Sequence, residues 1–181
     1  MIEEQEGRIE EENDRSEEES ITMQTQNVTD LMKNGTFLIE DQVDVTFIQE
    51  CKVREEEQGK IKAIFSEEKY ELIVGPCCKD TKTPSAGVGC ASKKGKAEVI
   101  TPTHLTKEFE EAAKTGRAEK YQVDLGWEQM MQIFNIYGKS GGSKEDIAMT
   151  ESLLEAINDE REAEQNKMKQ TLPTIIFGDF K

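Results

Sequence analysis

The hydrophobic residues of this chain form short runs with the period of strands and longer runs with the period of helices. Residues 43–50 are rich in β-branched and aromatic side chains and predict a central strand. Similar runs predict further strands near residues 21–26, 70–74, 87–91, 121–125, 129–137 and 174–177. Helical spacing of apolar residues predicts helices over residues 60–69 and 144–166, the second beginning with a capping box formed by Ser143 and Asp146.

This mixture of elements predicts the fold class. Strands and helices interspersed along a chain are typical of an α/β protein, so we expect a layered α/β sandwich with a mixed β-sheet. The strand near residues 174–177 comes directly before the end of the sequence. We therefore expect the fold to be incomplete at the C-terminus and this strand to leave apolar surface exposed.

The charged residues are unevenly distributed. The chain has 181 residues and a net charge of −15, from 38 acidic and 23 basic side chains. Residues 1–20 alone contain ten acidic and two basic residues and almost no apolar anchors. Because like charges repel and little apolar area can be buried, we expect residues 1–20 to be a disordered acidic arm and residues 21–181 to form the domain.

Several classes of protein are excluded by what the sequence lacks. No apolar run approaches the roughly 18 residues of a membrane span, and the acidic N-terminus differs from the basic start of a secretory signal. The four cysteines have no paired spacing, which argues against both a disulfide scaffold and a zinc site. We expect an intracellular protein, and the nucleus is left open as its location.

Two carboxylates occupy equivalent positions at the ends of predicted strands. Glu50 follows VTFIQ, and Asp179 follows TIIFG. Ligands of α/β sheets collect beyond the carboxyl ends of strands, so we expect these two carboxylates to lie at the same edge of one sheet, on neighbouring strands. Oxygen ligands of this kind suit Mg²⁺. The alternative, in which each carboxylate ends its strand and faces water, stays open on spacing alone.

Six segments carry a resemblance to a known family. In chain order they are QNVTDL, VTFIQECK, GVGCASKK, GRAEKYQVDL, FNIYGKSGG and LPTIIFGDF. Together they resemble the exonuclease-endonuclease-phosphatase superfamily, whose members include abasic-site endonucleases and the endonuclease domains of non-LTR retrotransposons. The resemblance runs from about residue 21 to the end of the sequence and implies that residues 21–181 are the N-terminal part of such a domain.

The resemblance implies roles for individual residues. Glu50 matches the glutamate that binds Mg²⁺, and Asn27 matches the asparagine near that metal. Tyr137 matches the tyrosine beside the scissile phosphate, and Asp179 the aspartate that orients or activates the attacking water. Mg²⁺ is thus the implied cofactor, with Glu50 as metal ligand and the other three as catalytic residues. This set suits phosphodiester hydrolysis, because a metal polarises the phosphoryl group and a carboxylate can take a proton from water.

The chain departs from the family pattern in two places. Lys181 stands where the family has an asparagine after Gly-Asp, and a lysine cannot accept a hydrogen bond. The family's second aspartate and catalytic histidine would lie beyond residue 181, and the single histidine, His104, comes too early to replace the latter. We therefore expect a truncated, retroelement-derived endonuclease-like domain with impaired or absent catalysis. A fragment and an incomplete gene model both stay open.

Partner and substrate are less well defined by the sequence. DNA is the implied partner, but the negative charge disfavours it, because phosphate contacts require Lys and Arg. Abasic DNA, unmodified DNA, RNA and a phospholipid headgroup are not distinguished as substrates. The alternative function is a non-enzymatic acidic interaction protein that retains part of the fold. Nothing in the sequence indicates the oligomeric state.

Overall fold

A computed structural model describes residues 20–77, 85–126, 129–138, 142–168 and 171–179. The predicted acidic arm therefore lies outside the described residues, apart from Ser20, and so does Lys181. The strands are β1 (Met23–Asn27), β2 (Val45–Gln49), β3 (Tyr70–Val74), β4 (Val88–Lys93), β5 (Glu98–Ile100), β6 (Ala118–Asp124), β7 (Met130–Tyr137) and β8 (Thr174–Asp179). The helices are α1 (Leu31–Asn34), α2 (Thr36–Glu40), α3 (Gln58–Glu67), α4 (Lys107–Lys114) and α5 (Lys144–Met168), with a 3₁₀ turn at Glu55–Glu57.

The described strands form two sheets of four strands each. The first sheet has the order β1-β2-β4-β3, and the second has the order β5-β6-β7-β8. In the first sheet β1 and β2 are parallel and the other pairs antiparallel, while in the second only β7 and β8 are parallel. Both sheets are mixed, so the predicted class, a layered α/β sandwich with mixed β-structure, is confirmed.

The sheets pack face to face, with helices on both outer sides. Phe47 of the first sheet stacks on Phe177 of the second, with ring centroids 5.1 Å apart, and also contacts Tyr121. Leu31 and Phe65 fill the core beneath α1 and α3. On the opposite side Phe109 of α4 meets Phe134 of β7 edge-on, with centroids 5.5 Å apart. The layers therefore follow the order helix, sheet, sheet, helix.

The longest helix agrees closely with its prediction from the sequence. The helix expected over residues 144–166 is α5, and the backbone N–H of Asp146 donates to the Ser143 hydroxyl at 3.1 Å, as the capping box requires. The helix is held to the second sheet by the buried Lys120 ammonium, which donates to Glu160 and Glu164. Among the helices of the described ranges, none combines the length and apolar character needed to cross a bilayer.

Candidate functional site

Four side chains singled out in the sequence meet at one end of the sandwich. Asn27 ends β1, and Glu50 follows directly after β2. Tyr137 and Asp179 are the last residues of β7 and β8 and lie opposite each other in the ladder. Because both parallel strand pairs end at this side of the molecule, the two sheets bring their carboxyl ends together here.

Hydrogen bonds connect all four side chains in one chain. The Asn27 amide donates to Asp179 Oδ2 at 2.8 Å, and the Tyr137 hydroxyl donates to Glu50 Oε1 at 2.6 Å. Thr29 joins the two halves, since its one hydroxyl proton is donated to Glu50 Oε2 at 2.7 Å and is shared with Asn27 Oδ1, a weaker second acceptor at 3.3 Å. The structure therefore places the predicted residues within one connected group that spans both sheets.

The expectation that Glu50 and Asp179 end neighbouring strands of one sheet is wrong. Glu50 follows β2 of the first sheet, whereas Asp179 ends β8 of the second. They belong to the same polar cluster because the sheets are stacked and Asn27 bridges towards Asp179 across the gap. Strand periodicity reveals which residues face a core, but it does not reveal which sheet a strand joins.

A buried amide pair sets the spacing between the sheets just beneath the site. The Asn135 Nδ2 atom donates to the carbonyl oxygens of Ile48 and Gly89 at 3.0 Å each. Its Oδ1 atom accepts from the Gln49 amide, and both side chains are almost fully buried. Gln49 precedes Glu50 and Asn135 lies two residues before Tyr137, so this contact aligns the strands that carry these two candidate site residues.

The environment of Glu50 favours its ionised form. Partial burial raises the pKa of Glu50, but hydrogen bonds from Tyr137 and Thr29 and the charge of Lys52 outweigh it and lower the pKa below its usual range. The Lys52 ammonium lies 3.5 Å from Glu50 Oε1. Burial, together with the Glu50 carboxylate, raises the pKa of Tyr137 to about 12, so its hydroxyl stays protonated and donates to Glu50.

Three residues of the site were not identified from the sequence as site residues. Thr29 bridges the halves of the cluster, Lys52 pairs with Glu50, and Arg117 supports Tyr137. The Arg117 Nη1 atom donates to the carbonyls of Tyr137 and Gly138 at 3.3 and 3.2 Å, and its guanidinium lies 5.2 Å from the Tyr137 ring centroid. The Gly-Arg dipeptide in the family-like segment GRAEKYQVDL could have indicated Arg117. Nothing in the sequence around Thr29 or Lys52 indicates a role in the site.

The backbone of the site occupies conformations that non-glycine residues seldom adopt. Thr29, Glu50 and Lys52 have φ angles of 46°, 57° and 51°. Left-handed backbone costs roughly 1–3 kcal/mol at each such residue and persists where the surroundings enforce it. The surroundings therefore hold Glu50 and its two neighbours in the cluster in strained backbone conformations.

The donor chemistry of the cluster fits a hard divalent cation. Among the described residues no group of three Asp, Glu, His or Cys side chains is arranged to enclose a metal. Mg²⁺ needs no such cage, because it usually takes one or two carboxylates and keeps several waters. An ionised carboxylate has about four acceptor positions, so the hydrogen bonds from Tyr137 and Thr29 leave Glu50 able to bind a cation.

Comparison with solved structures identifies the fold. An AP endonuclease from Leishmania major matches with a TM-score of 0.60 and 19% identity, over 88% of this chain and 54% of that one. The human Nocturnin catalytic domain gives a TM-score of 0.58 and 16% identity, over 88% and 64%. The Xenopus laevis APE2 catalytic domain gives 0.56 and 17%, over 88% and 57%. No family model and no curated protein matches the sequence.

These neighbours define a class of proteins by their fold. The chain shares its fold with an AP endonuclease and with the Nocturnin and APE2 catalytic domains, which agrees with its resemblance to the exonuclease-endonuclease-phosphatase superfamily. The chain spans about half to two thirds of the length of the structures it matches, between 54% and 64%. At identities of 16% to 19% the likeness to these neighbours concerns the fold alone.

Proposed function

We propose that these residues carry a phosphodiesterase site of the endonuclease type that depends on Mg²⁺ and hydrolyses slowly or not at all. Glu50 is the metal ligand, and Asn27, Tyr137 and Asp179 act on the phosphate and on the attacking water. The observation that carries the proposal is the hydrogen-bonded chain from Asp179 through Asn27, Thr29 and Glu50 to Tyr137. Four residues that the resemblance selected far apart in sequence form one connected group.

Each side chain has a chemical task that its surroundings support. Glu50 is kept ionised and offers negative oxygen to a cation. When Mg²⁺ is bound, it offsets the negative charge that develops on phosphoryl oxygens. Tyr137 keeps its proton, which it donates to Glu50 here, and a cation bound at Glu50 would free the hydroxyl to donate to a phosphate oxygen instead. Asn27 orients the Asp179 carboxylate, which then holds a water and takes its proton.

The slow hydrolysis that we propose follows from which side chains the described part of the site contains. In the described ranges, only Glu50 and Asp179 contribute carboxylates to the hydrogen-bonded chain, and it includes no histidine. His104 is exposed in the segment before α4. Loss of a general acid or base lowers the rate of hydrolysis roughly 10²- to 10⁴-fold. The site therefore binds the cation and the phosphate but hydrolyses the phosphodiester slowly or not at all.

DNA is the substrate class that we propose for this site, and the origin that we propose is a retroelement. Two of the structures with this fold are by name an AP endonuclease and APE2, which favours DNA over a lipid headgroup. Arg117 and Lys52 supply positive charge beside the carboxylates, although the whole chain has a net charge of −15. Phosphate contacts through so few cations give weak binding with a shallow salt dependence, because the slope grows with the number of phosphates that are neutralised.

A second candidate function, an acidic interaction protein that has kept part of the fold, is favoured by a different observation. A groove with acidic rims lies on the outer face of the α4 and α5 layer, and none of the four site residues lines it. The two functions make opposite predictions for substitutions at the strand ends. Loss of Glu50 abolishes cation binding in the first and changes nothing in the second.

Cation binding tests the proposal directly. Calorimetric titration of the full chain with Mg²⁺ should show one weak site that is lost in Glu50→Gln and kept in Glu56→Gln, a matched control on the exposed 3₁₀ turn. Any cleavage of a duplex carrying an abasic site should disappear in Glu50→Gln and Asp179→Asn. Unchanged Mg²⁺ binding in Glu50→Gln, or full-rate cleavage that survives both substitutions, would refute the assignment.

A further inference from the structure

Two helices on the outer face of the second sheet enclose a groove remote from the strand ends. It has a volume of about 360 Å³ and lies between α4 and α5. The small side chains of Ala112 and Ala156 line it without filling it, and the buried Leu153 side chain contributes apolar surface. Met149, 36% exposed, stands at the mouth. The groove thus offers an apolar surface that no described side chain fills.

The rim of the groove has one sign of charge. It is formed by four carboxylate side chains, from Glu108 and Glu111 on α4 and from Glu155 and Asp159 on α5, and no Lys, Arg or His lines it. The ion pairs between described residues involve none of the four. On each helix the two are three or four residues apart, a spacing at which like charges repel by roughly 0.2–0.5 kcal/mol. A cationic occupant would relieve this repulsion.

An apolar floor below an acidic rim matches the chemistry of lysine and arginine. Both side chains lay an aliphatic stem on apolar surface while the charged head stays at the polar boundary. Duplex DNA and the chain's own first twenty residues, which contain ten acidic and two basic residues, are repelled by the same rim. The combination therefore selects a protein segment rich in Lys or Arg over either of these.

We propose that the groove between α4 and α5 is a docking site for a basic, Lys- or Arg-rich segment of a partner protein. The segment sets aliphatic stems on Ala112, Leu153 and Ala156 and its charged heads against the four rim carboxylates. This surface is independent of the strand-end cluster, so the protein can bind its partner whether or not it hydrolyses a phosphodiester. Interactions of rim charges act mainly on association rate and salt dependence.

Charge reversal on the rim tests the proposal. The probe is a fluorescein-labelled amphipathic peptide of Lys, Leu and Ala, and its affinity for the full chain is read by fluorescence anisotropy. The double variant Glu111→Lys with Glu155→Lys should bind roughly tenfold more weakly at low salt. The matched control, Glu151→Lys with Glu162→Lys, makes the same change in net charge on exposed positions of α5 outside the groove and should bind nearly as well as the original chain.

Two further measurements exclude a general attraction to the acidic chain. Backbone amide shifts on addition of the peptide should concentrate on α4 and α5, and Ser152→Leu, which narrows the groove from its lining without changing charge, should weaken binding. Circular dichroism checks that each variant is folded. The proposal would be overturned if the groove variant and the control variant lost peptide affinity equally, or if the amide shifts were spread over the whole surface. Tighter binding of a duplex DNA than of the peptide at the same helices would also overturn it.

Discussion

The buried amides of Gln49 and Asn135 hydrogen-bond to each other across the two sheets, 86 residues apart in the chain. The Asn135 amide also donates hydrogen bonds to the backbone carbonyls of Ile48 and Gly89 in the first sheet. These bonds lie in the interior, where water cannot replace them, so they hold the second sheet in one position against the first. The meeting of Glu50 and Tyr137 at the sandwich end depends on that position.

Asn135→Leu should therefore destabilise the fold strongly. The substitution removes the three hydrogen bonds that Asn135 makes with Gln49, Ile48 and Gly89, although Gln49 keeps its bond to the Thr25 hydroxyl. Each intramolecular hydrogen bond contributes roughly 0.5–1.5 kcal/mol, so we expect a loss of about 3 kcal/mol in the free energy of unfolding, measured with urea.

Gln132→Met is the matched control on the same strand. Gln132 is also buried, but its Oε1 atom has no hydrogen-bond partner within the described residues. Exchange for a side chain of similar size should change stability by less than about 1 kcal/mol. Equal losses in both variants would show that burial alone, rather than the bond across the sheets, explains the cost at Asn135.

Glu119 should make the protein less stable as the pH rises. It lies on β6, and a Cβ placed on Gly75 would be 2.7 Å from its Oε2 atom, which shows how closely the chain packs around the carboxylate. Burial raises the pKa of Glu119 to about 7, from 4.5. The folded state therefore holds the proton more tightly than the unfolded state, and stability is full below pH 4.5 and is lost as the pH rises through 7.

The variant Glu119→Gln carries no proton to lose and should be free of this decline. Relative to the original chain it should gain roughly 3 kcal/mol of stability between about pH 4.5 and pH 8, since each pKa unit is worth about 1.4 kcal/mol. Urea unfolding at a series of pH values measures the difference. Parallel pH profiles for the two proteins would contradict the assignment of the decline to Glu119.

Lys120→Met should lower the free energy of unfolding more than the removal of both members of the buried ion pair does. The ammonium is 1% exposed and donates to Glu160 at 2.8 Å and also to Glu164. Without it, Glu160 would be a buried, unpaired charge, and breaking a pair in this way costs roughly 3–5 kcal/mol. The double variant Lys120→Met with Glu160→Leu should recover a large part of that loss in a double-mutant cycle. Additive losses would show that the two side chains do not interact energetically.

Local patterns predicted much of this fold. The period of apolar residues in α5, the capping box at Ser143 and the β-branched run of β2 depend on neighbours in sequence, and each lies where the pattern predicts it. The resemblance supplied Asn27, Glu50, Tyr137 and Asp179 as site residues, and the structure brings them together. Their catalytic roles stay predictions.

Long-range pairing could not be predicted in the same way. The sequence indicated one mixed sheet, but β2 and β8 belong to different sheets, because strand periodicity carries no information on which strands pair. The bridge through Thr29 and the support of Tyr137 by Arg117 follow from that arrangement and from the left-handed backbone at Thr29. The predicted disorder of residues 1–20 is untested, since all but Ser20 lie outside the described residues.

Lys52→Met gives the sharpest test of the electrostatics at the strand ends. The Lys52 ammonium is 3.5 Å from Glu50 Oε1, where it would repel any cation that the carboxylate binds. Point charges a few ångströms apart interact by roughly 4 kcal/mol at an effective dielectric constant of about 20, and partial exposure reduces this. We therefore expect Mg²⁺ to bind about tenfold more tightly to Lys52→Met at low ionic strength, with a smaller gain as salt screens the charge.

The matched control is Lys62→Met, which changes net charge equally at an exposed position of α3. It should leave the Mg²⁺ affinity within about twofold of the original chain, since an exposed charge that does not contact Glu50 acts through water at a high dielectric constant. Isothermal titration calorimetry with Mg²⁺ at two salt concentrations measures the affinity of both variants. Weaker binding in Lys52→Met would mean that the lysine chiefly holds the Glu50 carboxylate in place, so that the loss of this contact outweighs the relief of repulsion.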